Sequence, residues 1–269
     1  MKTATPGRAI GRRLFAAAAS AAVAAPLLPA QLPQASALIA RILNLRRDAA
    51  GRASGRLVVT GERNRQKVFQ ILVLQKRLAH SINLLWRVTG PPEALMRILV
   101  ESPFEGRPTV WLASGTQAAP ARLPVQRWAD PILGTQLTID DLVDDYLSWP
   151  EQSLTGEEAV NGKPCYILRS VPGEGRLPAC GPVTTWVDEA TLLPLRTVKQ
   201  PAGMGAPKEM VCRGTRQSGG LWAASSIEIR LRGSTENTRI VFTSGSASAR
   251  IADREVDPRF ALGPEGGGR

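Results

Sequence analysis

A single histidine, His80, among 269 residues excludes more than any other feature of this chain. A Ser-His-Asp or Cys-His arrangement would have to be built around it. It stands instead in Lys76-Arg77-Leu78-Ala79-His80-Ser81, which reads as a polar turn between two strands. Cysteine is nearly as scarce, and Cys165, Cys180 and Cys212 fall at spacings that fit no zinc motif. No metal and no cofactor is therefore expected. The chain has no Gly-x-Ser-x-Gly elbow, no phosphate-cradling glycine loop and no His-Glu-x-x-His. Glu157 and Glu158 are adjacent, and neighbours on a strand point to opposite faces, so they are not a catalytic carboxylate pair. Aromatics make up only 5% of the chain. No apolar run reaches the roughly 20 residues of a membrane span.

What is present starts with a basic head, Lys2, Arg8, Arg12 and Arg13, ahead of an Ala-rich apolar stretch from Leu14 to Leu28. Ala35 and Ala37 flank Ser36 in the small-residue pattern of a cleavage site. Residues 1–37 read as a signal peptide cut after Ala37, and Arg12-Arg13-Leu14-Phe15 resembles a twin-arginine signal. The expected location is thus periplasmic. Lys and Arg total 34 against 23 acidic residues, a net charge of +11. In an exported protein such a balance points to anionic lipid headgroups or an acidic partner. No basic run interleaved with aromatics supports nucleic acid. An oxidising compartment also allows a disulfide. Cys180 with Cys212 would close a loop of about 30 residues, for roughly 3–4 kcal/mol, leaving Cys165 over. Three buried thiols are the alternative.

Leu38, Ile39, Ile42, Leu43 and Leu45 have helical spacing and predict one amphipathic N-terminal helix. After Gly51 the texture changes to short β-type runs separated by Gly, Pro and Asn: 56–60, 67–74, 82–88, 95–101 and 109–112. Residues 116–131 read as a loop. Thr138 and Asp141 then open a helix whose apolar stripe is Ile139, Leu142, Val143, Tyr146 and Leu147. Asp140, Asp141, Asp144 and Asp145 lie off that stripe. They lack the glycine turn and ligand spacing of a calcium loop and are expected to form a solvated helix face. Strands resume from Thr155 and are expected at 165–171, 183–188, 195–199, 208–214, 226–232, 239–243 and 249–253. The fold class is α+β: one large curved antiparallel sheet of about eleven or twelve strands, with two or three helices covering one face.

Three blocks, Gly134–Leu142, Leu154–Leu168 and Thr185–Arg196, resemble in order and spacing the outer-membrane lipoprotein-sorting protein family, which is similar in fold to the LolA and LolB carriers and to RseB-type regulators. The resemblance is densest over residues 132–200. It implies a half-open barrel of about eleven strands over residues 38–262, whose concave apolar face is covered by the helices and receives acyl chains; the glycine-rich stretch 263–269 reads as a flexible tail. No catalytic residue carries over, because the shared blocks are turn and packing signatures.

Alternation chooses the expected lining. Gln70, Arg87 and Arg97 mark the solvated face of their strands, so Phe69, Ile71, Leu84, Trp86, Val88, Met96, Ile98 and Val100 should face an apolar cavity. The function so implied is a soluble, non-enzymatic exported carrier or binding protein for lipids or acylated proteins. Its partners are acyl chains and an inner- or outer-membrane protein, not nucleic acid. The alternative is an RseB-like regulator docking on a membrane partner, and the third a secreted hydrolase.

Overall fold

A computed structural model describes residues 1, 33–47, 50–116, 119–173 and 180–263. Most of the expected signal peptide and the tail beyond Gly263 lie outside the described residues, as do residues 174–179. Every described helix and strand belongs to the compact unit Leu32–Arg269.

Helix α1 (Ala35–Arg47) precedes a meander: β1 (Gly51–Thr60), β2 (Gln66–Arg77), β3 (Ser81–Gly90), β4 (Met96–Pro103), β5 (Thr109–Ser114) and β6 (Ala121–Leu123). A short helix α2 (Ile139–Val143) leads to β7 (Glu151–Val160), β8 (Lys163–Val171), β9 (Cys180–Asp188), β10 (Pro194–Pro201), β11 (Lys208–Ser218), β12 (Leu221–Leu231) and β13 (Asn237–Ser246), with α3 (Pro258–Ala261) last. The thirteen strands form one antiparallel sheet in the order β6-β5-β4-β3-β2-β1-β13-β12-β11-β10-β9-β8-β7. β6 and β7 are its two edges, so the barrel stays open. The expected α+β half-barrel is thus the observed class, with more strands than expected. The strand expected over 249–253 is absent: its end belongs to a 3-10 turn, Asp253–Val256.

Local chemistry explains the hairpins. Asn161 and Gly162 (φ 51° and 76°) join β7 to β8, and Gly219 and Gly220 (φ 57° and 81°) join β11 to β12. Positive φ at both central positions is the turn whose twist matches antiparallel strands. Asp188 closes the β9–β10 turn, its Oδ1 accepting the Ala190 N–H at 2.9 Å.

Strands β2–β5 are covered on both faces. On the inner face, α1 packs Leu38, Ile39 and Ile42 against Leu168, Val183 and Val187, while α2 packs over β2–β5. On the outer face, α3 and the preceding turn bring Val256, Ala261 and Leu262 onto Leu74, Leu85 and Leu99. That C-terminal cap corrects the expectation of a solvated face at Arg87 and Arg97. Arg97 is 4% exposed and donates to the carbonyls of Gly263 and Gly115, both at 3.0 Å. Arg87 donates to the Ala261 carbonyl at 3.1 Å. These arginines satisfy the cap's free carbonyls rather than meeting solvent, because α3 has no further turn to do so. Arg97→Ala is therefore expected to destabilise the fold by about 1–3 kcal/mol, measured by urea unfolding, in place of the neutrality its assigned face implied.

The expected Cys180–Cys212 disulfide is not formed: all three cysteines are free and buried. Cys180 belongs to the inner-face cluster with Val183 and Val187, whereas Cys212 belongs to the cluster of Trp186, Leu195 and Cys165. The sheet stands between the two thiols. Bulges at Leu195 and at Cys212–Arg213 turn those side chains outward, which the spacing in sequence does not show.

Candidate functional site

All eight expected lining residues, Phe69, Ile71, Leu84, Trp86, Val88, Met96, Ile98 and Val100, lie on the inner face within one apolar cluster. Cross-strand pairing puts them in register: Ile71 opposite Val88, Trp86 opposite Ile98, Leu84 opposite Val100. Leu57, Val110, Ile229 and Ile240 extend this floor across β1, β5, β12 and β13. The floor is not open. Residues 123–143 cross it as an irregular lid and press Leu123, Trp128, Ile132, Leu137, Ile139, Leu142 and Val143 into it.

The lid has little regular structure of its own. α2 is five residues long and ends at Asp144, whose φ of +48° is left-handed. The longer helix expected from the apolar spacing breaks there, and Tyr146 and Leu147 continue in a 3-10 turn that packs on α1 instead. Polar pins hold the lid at its margin. Gln136 donates through Nε2 to the Glu236 carbonyl at 2.8 Å and accepts the Leu231 N–H at 3.2 Å, tying the lid to β12 and to the turn before β13.

The second pin is a buried ion cluster. Lys199 Nζ lies 3.0 Å from both Asp140 Oδ2 and Asp141 Oδ1. Lys208 Nζ reaches Asp141 Oδ2 at 2.7 Å and Thr138 Oγ1 at 2.9 Å. The backbone N–H of Thr138 donates to the same Oδ2 at 2.9 Å, the capping contact that starts α2. Asp140 and Asp141 are therefore not a solvated helix face. Burial by itself raises the Asp141 pKa, but the charges of Lys199 and Lys208 and the Lys208 hydrogen bond outweigh it and hold the carboxyl at about 2. For Lys199, burial opposes the charged form and the two aspartates overcome it, keeping the ammonium well above its ordinary value. Cys180 beside them is pushed up to about 12 by burial and then by Asp140. It is a neutral thiol, not a nucleophile.

A cavity of about 400 Å³ opens at this margin. The lid supplies Pro131, Gln136, Thr138 and Asp140, and the strand side supplies Lys199 and Leu231. None of the eight expected lining residues borders it. They sit behind the lid, so a ligand reaches them only if the lid yields. One polar group there stands out: Trp86 Nε1 is buried and has no hydrogen-bond partner among the described residues. An unpaired buried donor costs roughly 1–3 kcal/mol. Among the described residues no group of His, Cys, Asp and Glu is placed to hold a metal. No helix among them is long and apolar enough to cross a membrane.

Sequence reasoning missed Lys199, Lys208 and Gln136. Each is polar on a strand or loop without any local motif, and their partners stand 59 or more residues away.

A sheet open at both edges, with a lid across one apolar face, defines the LolA-like class of fold, and comparison with solved structures agrees. A DUF1329 family protein from Desulfovibrio piger superposes with a TM-score of 0.75 at 17% identity, covering 84% of this chain and 98% of that one. A domain described as an outer membrane lipoprotein-sorting protein domain, from Vibrio parahaemolyticus, gives 0.72 at 14%, covering 82% and 95%. A LolA superfamily protein from Nitrosomonas europaea gives 0.61 at 16%, covering 84% and 98%. A family model described as "-like: Uncharacterized protein" matches residues 93–259, and the chain belongs to that family. No curated protein matches the chain. The three sequence blocks now have places: 134–142 is the C-terminal part of the lid, 154–168 the β7–β8 hairpin, and 185–196 the β9–β10 turn.

Proposed function

We propose that the protein is an exported, non-enzymatic carrier or binding protein that takes an acyl chain of a lipid or acylated protein between the inner face of its sheet and the lid. The observation that carries this reading is the pairing of a continuous apolar floor with a cover that is irregular in backbone and pinned at its margin. Apart from Leu123, which pairs with Val110 at the end of β6, such a cover moves off without breaking any strand of the sheet. The fold shared with lipoprotein-sorting and LolA superfamily proteins supports it.

An acyl chain of about ten methylenes gains roughly 8 kcal/mol gross on leaving water. The floor exchanges lid side chains for methylenes with little net change, so affinity is set by the energy that opens the lid. Trp86 Nε1 then has a role, donating to an ester or carboxyl oxygen that enters with the chain. Titration with a fluorescent fatty acid tests this. Wild type should bind in the micromolar range. Trp86→Phe, which removes the donor while keeping an aromatic ring, should bind about five- to tenfold more weakly with unchanged thermal stability. Absence of affinity for fatty acids, phospholipids and acylated peptides alike would sink the reading.

Export rests on residues 1–37. Cleavage after Ala37 would trim the first turn of α1 and leave Leu38, only 1% exposed, as the first residue anchored in the core. N-terminal sequencing of the protein from a periplasmic fraction should begin at Leu38. An intact Met1 there would contradict it.

A further inference from the structure

Among the described residues no helix covers the outer face of β8–β13 and β1, and the register gathers arginines on it. Successive cross-strand partners on that face run Val58, Arg239, Glu228, Val211, Arg196, Trp186 and Ile167. The flanking row runs Arg230, Glu209, Val198, Thr184 and Arg169. Arg56, opposite Val241, and Arg213, on the β11 bulge, complete the set. From Arg56 on β1 to Arg169 on β8 is six strand spacings, about 30 Å.

The acidic groups on this face are already engaged. Glu228 is 4% exposed and is clamped between Arg213, at 2.7 Å, and Arg230. Glu209 binds Arg196 at 2.6 Å, whose guanidinium stacks on Trp186. Glu158 accepts the Trp186 Nε1–H at 2.6 Å. Arg56, Arg169 and Arg239 are exposed, and none of their side chains has an ion pair or hydrogen bond among the described residues. The face is therefore left with a positive field whose free members are donors to whatever docks there.

We infer that this arginine face docks the protein on an anionic phospholipid surface. A bilayer is favoured over an acidic protein by what borders the arginines. Trp222, at the Gly219-Gly220 hairpin, is 43% exposed, with Lys163 Nζ 5.6 Å from its ring. Its β12 neighbour Ala224 packs on the cluster of Trp186 and Cys165, which puts Trp222 on the same side as the arginines. An exposed tryptophan beside cationic side chains suits the headgroup level of a membrane.

The test is co-sedimentation with phosphatidylcholine vesicles containing about one third phosphatidylglycerol. The protein should bind these, bind pure phosphatidylcholine vesicles far less, and be released at about 0.5 M salt. Arg56→Glu/Arg169→Glu/Arg239→Glu should lose binding by at least about tenfold. Arg65→Glu/Arg107→Glu/Arg122→Glu, the same charge change at exposed positions elsewhere, should keep it. Thermal melting confirms that both triple variants fold, and fatty-acid titration shows separately that the inner face is intact. Equal loss in both variants would reduce the effect to net charge and overturn the assignment. So would equal binding to uncharged vesicles. Failure to bind anionic vesicles, with binding to polyglutamate instead, would give the face to an acidic protein.

Discussion

Lys199→Met is expected to destabilise the protein by about 3–5 kcal/mol, because it leaves Asp140 and Asp141 buried beside each other without the ammonium that both face. The measurement is urea unfolding at neutral pH. Lys208→Met should cost less: Asp141 is the one carboxylate it pairs with, and the Lys199 contact survives. The same cluster predicts an acid limb. Asp141 has a folded pKa of about 2 against an ordinary 3.8. A depressed carboxyl contributes its stability above the unfolded value and loses it as pH falls through the folded one. Stability should therefore decline between about pH 4 and pH 2 through this group. In Asp141→Asn that part of the decline should disappear, together with part of the neutral-pH stability. An unchanged acid limb in that variant would show that the lid is not held by this carboxylate.

Leu142→Ala is expected to raise affinity for an acyl chain by about tenfold or more while lowering stability by roughly 2–4 kcal/mol. Leu142 is a lid side chain pressed into the floor beside Ile139 and Val143. Truncating it removes contact that favours the closed lid and leaves space that methylenes fill. Binding and folding thus respond in opposite directions, which a merely structural residue would not produce. Fatty-acid titration and urea unfolding on the same preparation read both. A parallel loss of affinity would mean that the lid contributes to the bound state instead of competing with the ligand.

Much of this architecture is written in local pattern. Alternation in 82–88 and 95–101 placed Leu84, Trp86, Val88, Met96, Ile98 and Val100 on one face, since a pleated strand has a period of two and admits only two registers. Asn161-Gly162, where no hairpin was expected, is a local device of the same kind, with positive φ at both residues. The single histidine and the missing motifs argued against catalysis without any coordinates.

Other features belonged to the tertiary structure. That Arg97 is buried depends on a cap arriving from Gly263, 166 residues later. That Asp140 and Asp141 leave the solvent depends on Lys199 and Lys208, brought to α2 by the β10–β11 pairing. Cys180 and Cys212 part company because bulges change which way a side chain points. Alternation tells which residues share a face and says nothing of what covers it. The cover comes from distant segments, whose encounter is decided by the summed burial and pairing of the whole chain.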